Sequence, residues 1–131
     1  MIHVKIITPE GVYKELDTPI VNIDTLDGPR GILPNHMPLV TMLDIGKMTT
    51  DENGVRETYA VAGGLFYFRD NEAQILTDAI ENKNEIDVDR AESSKERAER
   101  RLHDPNYVKL DAERAHKSLD KALNRIRIAA K

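Results

Sequence analysis

The sequence contains no cysteine, which excludes disulfide bonds, thiolate zinc sites and a cysteine nucleophile. It also has no tryptophan, and only two phenylalanines and four tyrosines among 131 residues. No apolar run approaches the roughly 20 residues that a membrane-spanning helix requires. The start, MIHVKIITPE, lacks the basic region and long apolar stretch of a secretory signal. We therefore expect a cytoplasmic protein that does not insert directly into a membrane.

An excess of positive charge is also lacking, because 19 basic side chains face 23 acidic ones and the formal net charge is −4. Binding along nucleic-acid phosphates requires a clustered excess of lysine and arginine, whereas the basic residues here are mixed with acids. We predict no nucleic-acid partner. The content of 32% charged and 40% hydrophobic residues is typical of a globular chain with one or two small domains.

Residues 1–84 alternate between apolar and polar in short runs, such as IHVKIIT at residues 2–8. This period is typical of half-buried strands, and the turn sequences between the runs favour an antiparallel β-sandwich or barrel. Asn53–Gly54 predicts a tight hairpin turn. Gly63–Gly64 lies inside a strand pattern and predicts a β-bulge rather than a phosphate-binding loop.

Residues 85–131 are rich in Glu, Lys, Arg and Ala and predict two helices. Asp87 is the predicted N-cap of the first helix, and Asp104 with Pro105 predicts the start of the second. An apolar stripe follows the second helix at Ala112, Ala115, Leu119, Ala122, Leu123, Ile126 and Ala130. Because an alanine-rich stripe buries little area, we expect an antiparallel two-helix hairpin that is only marginally docked, and the fold class is α+β.

The segment GILPNHMPLV at residues 31–40 combines an apolar composition with a restricted backbone. Pro34 and Pro38 push Leu33 and Met37 towards extended geometry. One interpretation is a lid that closes one end of the sandwich. The other is a rigid apolar contact surface for a protein partner, since a stiff loop loses little entropy on docking.

A second notable group is a run of basic residues late in the chain, with no acid after Asp120: Lys121, Arg125, Arg127 and Lys131. These charges either offset the negative end of a helix dipole or bind phosphates or an acidic partner. Arg90 and Arg97 lie seven residues apart on the first helix, so closure of the hairpin could gather four or five cations in one place.

Catalytic chemistry has little support in this sequence. His3, His36, His103 and His116 show no metal-ligand spacing, so we predict no metal site. There is no nucleophile motif and no phosphate-loop lysine. A small β-sandwich enzyme that uses an acid near DTLDG at residues 24–28, with the helices as a dimerisation arm, is an alternative without a perturbed carboxylate pair to support it. We predict that the chain is not an enzyme and has no catalytic residues.

Four stretches together resemble the epsilon subunits of bacterial F-type ATP synthases: GILPNHMPLVT (31–41), AVAGGLFYF (60–68), IDVDRA (86–91) and ERAERRL (96–102). The resemblance spans essentially the whole chain. It implies a β-sandwich followed by two helices and a non-catalytic rotor subunit of the central stalk. It also implies a peripheral position at the cytoplasmic face of the bacterial cell membrane, held there through the synthase complex.

The resemblance further implies that the sandwich binds the gamma subunit and rests on the membrane-embedded c-ring, which couples proton flow to the catalytic head. The implied partner-binding residues are Pro29, Arg30, Ile32, Leu33, Pro34, His36 and Met37. Family members often place an acid between the two glycines of this turn, whereas this chain has Pro29 and Arg30 there.

In similar subunits the helices extend into the catalytic alpha/beta head and inhibit ATP hydrolysis, and some members bind ATP in the folded form. The resemblance implies no obligatory cofactor, ATP as a regulatory ligand, and a nucleotide site at Glu81, Ile86, Asp87, Arg90, Ala91, Arg97, Lys121 and Arg125. Lys121 replaces a phosphate-facing arginine and loses its bidentate geometry. The alternative is a free-standing ATP-sensing regulatory protein.

Overall fold

The computed structural model describes residues 1–104 and 109–130. The chain divides into two compact units, Met1–Lys83 and Asn84–Lys131. The first unit contains eight strands: β1 (Ile2–Thr8), β2 (Gly11–Thr18), β3 (Val21–Thr25), β4 (Gly28–Ile32), β5 (Leu39–Glu52), β6 (Val55–Arg69), β7 (Glu72–Leu76) and β8 (Ile80–Asn82). A short 3₁₀ turn, Lys83–Glu85, spans the junction, and the second unit contains α1 (Val88–His103) and α2 (Lys109–Ala129). The predicted β-sandwich followed by two helices is confirmed.

The strands form one hydrogen-bonded path in the order β2, β1, β7, β6, β5, β3, β4, with β8 paired to β6. All of these pairs are antiparallel except β1 with β7, which is parallel. Local sequence patterns did not indicate this parallel pair, because it joins strands that lie far apart in the chain. The path folds back on itself, since Lys14 of β2 contacts Glu52 of β5 and Tyr59 of β6.

The core lies inside this folded sheet and follows the predicted alternation. On β1, Ile2, Val4 and Ile6 are fully buried, while His3 and Lys5 between them are partly exposed. Each strand contributes its inward residues, and the core cluster comprises Ile2, Val4, Ile6, Leu16, Val21, Ile23, Ile32, Leu43, Met48, Tyr59, Val61, Phe66, Phe68, Ala73, Ile75 and Ile80. Burial of this apolar surface is the main stabilising contribution to the unit.

Two glycine-containing turn predictions had different outcomes. The hairpin at Asn53–Gly54 is confirmed, with φ values of 55° and 80°. The predicted bulge at Gly63–Gly64 is wrong, because the register of β5 with β6 is the same on both sides of the pair. Glycine is required there for another reason: φ is 126° at Gly64, and a Cβ at this position would clash with the backbone carbonyl of Leu76.

The segment DGPRG has the composition of a turn, but most of it forms the edge strand β4. Pro29 is tolerated in this strand because β4 ends the strand order and has a neighbouring strand on one side only.

The helices α1 and α2 pack against each other and are separated only by residues 104–108. The prediction of Asp87 as N-cap of α1 is confirmed: its Oδ1 accepts a hydrogen bond of 3.0 Å from the backbone N–H of Arg90. The predicted start of the second helix at Pro105, and Lys131 of the basic run, lie outside the described residues. No helix within the described ranges is long and apolar enough to cross a membrane.

The predicted apolar stripe on α2 is only partly correct. Ala115 and Ala122 are buried as expected, but Leu123 and Ala130 are exposed. Asn124 and Ile128 are buried as well, which the stripe did not include. Hydrophobic periodicity could not identify Asn124, since its burial depends on hydrogen bonding: its Oδ1 accepts a bond of 3.2 Å from the Arg127 guanidinium.

Candidate functional site

The segment between β4 and β5, here called the Leu33–Met37 loop, exposes apolar side chains on a well-connected backbone. Leu33 is 57% and Met37 is 77% exposed, and His36 is also exposed. Pro34 is half-buried. Ile32, which was predicted to contact a partner, is 1% exposed and belongs to the core. Ile32 therefore anchors the loop, and its side chain is not part of the surface.

His36 stabilises the loop from within. Its backbone N–H donates to the carbonyl of Leu33 at 3.2 Å, and its Nδ1 donates to the carbonyl of Met37 at 2.7 Å. The ring also lies edge-on to Phe68 of β6, with 5.9 Å between centroids. These contacts hold the exposed loop against the core.

A pair of asparagines joins the loop to the turn between β6 and β7. The backbone N–H of Asn35 donates to Oδ1 of Asn71 at 2.6 Å, and Nδ2 of Asn71 donates to Oδ1 of Asn35 at 3.2 Å. Both residues adopt left-handed backbone conformations, with φ of 66° and 61°. Asparagine tolerates this conformation better than most residues, so the sequence favours the tether. Pro29 and Arg30 lie before the loop on β4 and are exposed.

A larger surface, which we call the apolar band, was not predicted from the sequence. It is a cross-strand row on the outer face of the sheet, in which Met42, Leu65, Leu76, Ile7 and Val12 are successive partners on β5, β6, β7, β1 and β2. Leu26 extends the row, because its N–H donates to the carbonyl of Met42 at 3.1 Å. Leu26, Met42, Leu76 and Val12 are 41 to 60% exposed. A contiguous exposed apolar surface of this kind is characteristic of a binding site.

One signal in the sequence could have revealed the apolar band. In the run Leu39-Val40-Thr41-Met42-Leu43 of β5, apolar residues occupy both faces of the strand. A strand that faces water on one side alternates between apolar and polar residues, whereas a strand covered on both sides is apolar on both. Val40 and Met42 point away from the core, so the run predicts a covered outer face.

Five of the implied nucleotide-site residues lie at or near α1. Ile86 is half-buried, Asp87 caps the helix, and Ala91 is fully buried. Arg90 and Arg97 are exposed, and the Arg97 guanidinium donates to the Ser94 hydroxyl at 3.3 Å. The structure therefore presents two arginines seven residues apart, while the Asp87 carboxylate is already engaged by the helix terminus.

The remaining implied residues are on two other elements. Lys121 and Arg125 are half-buried on α2, four residues apart and hence on one face of the helix. Glu81 is on β8, where it pairs with Ala60 of β6. Among the described residues, neither Arg90 nor Lys121 forms an ion pair with an acidic side chain. Within residues 1–104 and 109–130, no group of histidines and carboxylates could hold a metal ion.

Comparison with known proteins gives the same two-part division of the chain. Residues 1–83 match the family model for the ATP synthase delta/epsilon chain β-sandwich domain. Residues 84–130 match the model for the delta/epsilon chain long α-helix domain. Together these matches cover nearly the whole sequence.

Individual relatives agree with the family models. The ATP synthase epsilon chain of Halalkalibacterium halodurans is 39% identical over 130 residues, which is 99% of this chain and 98% of the relative. A cryo-EM structure of the Euglena gracilis mitochondrial ATP synthase that includes its c-ring matches with a TM-score of 0.81 and 20% identity, over 99% of this chain and 81% of that chain. A cryo-EM structure of the Tetrahymena thermophila mitochondrial ATP synthase central stalk and c-ring matches with a TM-score of 0.61 and 14% identity, over 98% of this chain and 96% of that chain.

A β-sandwich domain followed by an α-helical domain is thus the architecture that the ATP synthase delta/epsilon family models describe. The chain belongs to the ATP synthase epsilon chain family, whose members are non-catalytic subunits of the central stalk in F-type ATP synthases. The prediction of a non-enzymatic subunit is confirmed by this family membership.

Proposed function

We propose that this subunit couples rotation of a c-ring to the catalytic alpha/beta head by bridging the ring and the gamma subunit. The observation that carries the proposal is the apolar band, a continuous row of exposed and half-buried apolar side chains across five strands of a chain in which 32% of residues are charged. The Euglena and Tetrahymena structures that share the fold include c-rings, which supports a position beside a ring.

The apolar band is the proposed gamma-binding surface. Burial of its large apolar side chains against a partner would contribute favourable free energy of binding. Because its strands are rigid, docking would cost little conformational entropy. On β7 and β1 the band is flanked by polar side chains: Gln74 and Lys5 lie two positions from Leu76 and Ile7 along their strands. An apolar centre with a polar rim is typical of protein interfaces.

The Leu33–Met37 loop is the proposed contact with the c-ring. Its exposed Leu33 and Met37 provide apolar surface, and the Asn35–Asn71 pair holds the backbone before any partner arrives. Docking therefore costs little conformational entropy. Because β4 carries Pro29 and Arg30 where similar subunits often have an acid, we expect the contact in this chain to depend on apolar packing more than on a salt bridge.

Binding to a purified gamma subunit of the same complex tests the first surface. Met42→Glu places a charge in the middle of the apolar band, and we expect at least a tenfold loss of affinity. Val55→Glu is the matched control, because Val55 is 58% exposed, close to the 59% of Met42, but lies at the tip of the β5–β6 hairpin. Equal effects of the two variants would contradict the assignment.

We further infer that the helical pair inhibits ATP hydrolysis when it extends into the head, and that ATP favours its folded form. The alanines between the helices support this switch, since Ala91, Ala98, Ala115 and Ala122 are buried but contribute little apolar area each. The cations Arg90 and Lys121, which have no ion-pair partner among the described residues, would face the phosphates. Inverting a 1:99 equilibrium to 99:1 requires about 5.5 kcal/mol of preference for one form.

Isothermal titration of the full chain with ATP tests the nucleotide site. We expect saturable binding that Arg90→Ala weakens, while Arg100→Ala, another exposed arginine of α1, leaves it unchanged. Absence of heat at millimolar ATP would remove the regulatory proposal and leave the stalk assignment intact.

The proposed location is the cytoplasmic face of the bacterial membrane, reached through the complex and without direct insertion. The competing function, a free-standing ATP sensor, predicts ATP binding without association with a synthase. Copurification from membranes distinguishes the two, because a stalk subunit is recovered with gamma and the ring, and a free sensor is recovered alone.

A further inference from the structure

His3 on β1 lies between two carboxylates of β2. Its Nδ1 is 2.9 Å from Oδ1 of Asp17, and its Nε2 is 3.1 Å from Oε1 of Glu15. Ionised carboxylates only accept hydrogen bonds, and a neutral imidazole has a single N–H to donate. Both bonds therefore exist only when the ring is a doubly protonated imidazolium. The hydrogen bond to Asp17 and, to a smaller extent, the one to Glu15 raise the pKa of His3 above its ordinary value.

The backbone of the same residue connects β1 to the Leu33–Met37 loop. The N–H of His3 donates to the carbonyl of Asn71 at 2.9 Å. The side chain of Asn71 makes the two hydrogen bonds that tether Asn35. Three residues thus form a continuous hydrogen-bonded path from a titratable ring to an exposed loop.

We propose that the protonation state of His3 controls how firmly the Leu33–Met37 loop is held, so that the loop is more ordered at low pH than at high pH. Loss of the ring proton leaves a nitrogen lone pair facing a carboxylate, and the hold of β2 on the start of β1 weakens. The His3 to Asn71 bond then opens more often, and the Asn71 side chain holds Asn35 for less of the time. The consequence for ring docking rests on the proposed function of the loop, whereas the coupling itself does not.

Other charged groups face His3 from the neighbouring strands. Glu72 of β7 is its cross-strand partner, and Arg69 of β6 is opposite Glu72 and pairs with Asp70 at 3.3 Å. Lys5 lies two residues along β1, and the amino group of Met1 lies two residues before His3. His36 lies next to Asn35 within the loop, so an experiment must separate the effects of the two histidine rings.

Solution NMR of the full chain provides both readouts. Between pH 5 and 9 we would follow the NMR chemical shift of the His3 ring carbons and the hydrogen-exchange protection factor of the Asn35 amide. The protection factor already corrects for the intrinsic pH dependence of hydrogen exchange. We expect the protection factor of the Asn35 amide to fall about fivefold as pH rises, which is the effect of losing one hydrogen bond of typical net strength. The midpoint of this fall should coincide with the midpoint of the His3 titration. Asp17→Asn should lower both midpoints together.

Three further variants make the test decisive. His36→Gln should retain the step in Asn35 protection at the His3 midpoint, and His116→Gln, on the exposed side of α2, should change nothing. Persistence of the step in His3→Gln, or its disappearance in His36→Gln, would overturn the proposal. If Asp17→Asn does not fold, Glu15→Gln supplies the same comparison. No ring or gamma partner is present, so a negative result bears on the coupling alone.

Discussion

Nζ of Lys14 on β2 lies 2.7 Å from Oε1 of Glu52 on β5, and this ion pair joins two strands that are not neighbours in the sheet. The hydroxyl of Tyr59 donates to Oε2 of Glu52 at 2.7 Å and accepts from Lys14 at 3.0 Å. Thr50 adds a fourth bond, from its hydroxyl to Glu52 at 2.7 Å. The network therefore fixes the closure of the sandwich at this end.

Glu52→Gln should lower the free energy of unfolding by about 2 kcal/mol, because it breaks a charged network whose carboxylate is only 14% exposed. The value is below that of a fully buried pair, since Lys14 is 39% exposed and partly screened by water. Urea denaturation measures it. Arg69→Gln is the matched control: its ion pair with Asp70 is 66% and 85% exposed, and we expect a change below about 0.5 kcal/mol.

The same network predicts how stability depends on pH. Burial raises the pKa of Glu52, but hydrogen bonds from Lys14, Tyr59 and Thr50 together hold the pKa below its ordinary value. A lowered pKa in the folded state contributes stability above the unfolded value of about 4.3, and the contribution is lost as pH falls through the folded pKa. The stability difference between wild type and Glu52→Gln should be constant above about pH 5 and shrink as the solution is acidified.

Urea titrations at pH 3, 4, 5 and 7 would measure that difference. The hydrogen bonds of Lys14 to Glu52 and Tyr59 raise the pKa of the lysine, so Lys14 stays charged throughout this range. A decrease in the stability difference between pH 5 and pH 3 therefore reports the protonation of Glu52. A stability difference that remained constant down to pH 3 would contradict the lowered pKa of Glu52.

Gly64→Ala should destabilise the β-sandwich by about 3 kcal/mol, because the new Cβ combines a strained φ with a clash against the Leu76 carbonyl. Gly11→Ala isolates the strain alone: φ is 117° there, but no atom lies within 4 Å of the position that a Cβ would take, and we expect about 1 kcal/mol. Thermal or urea unfolding of both variants separates the two contributions. Equal losses would show that the clash is relieved by backbone movement.

Lys121→Arg should strengthen ATP binding if Lys121 faces the phosphates, since a guanidinium offers a planar pair of donors to a phosphate where an ammonium offers a point charge. We expect an increase in affinity of about threefold to tenfold by isothermal titration. Lys117→Arg, at an exposed position of the same helix, should have no effect. An equal gain in both variants would indicate non-specific attraction of ATP to α2.

The sequence predicted those features that depend on short-range patterns. The alternation of Ile2, Val4 and Ile6 identified β1 and its buried face, and Asn53–Gly54 identified the hairpin turn. The parallel pairing of β1 with β7 could not be predicted in this way, because it depends on contacts between His3–Ile7 and Glu72–Leu76, nearly 70 residues later. Neither could the three-residue strand β8, which is too short to show a period.

The candidate surfaces were predictable to a different extent. Pro34 and Pro38 predict a loop with a restricted backbone, but the sequence could not show that Ile32 is in the core while Leu33 is exposed. The apolar band as a whole could not be predicted, because its members come from five strands and become neighbours only through the register of the sheet. The tether between Asn35 and Asn71 likewise joins positions 36 residues apart.

Pro29 has an effect on self-association as well as on the shape of β4. The strand terminates the hydrogen-bonded path, so one side of it offers backbone groups to any passing chain. Proline has no N–H to donate to an added strand, and Gly28 and Gly31 leave β4 with few apolar side chains along which a second strand could pack. This edge of the sheet is therefore a poor template for fibre-like polymerisation when the concentration of the subunit exceeds that of its partners.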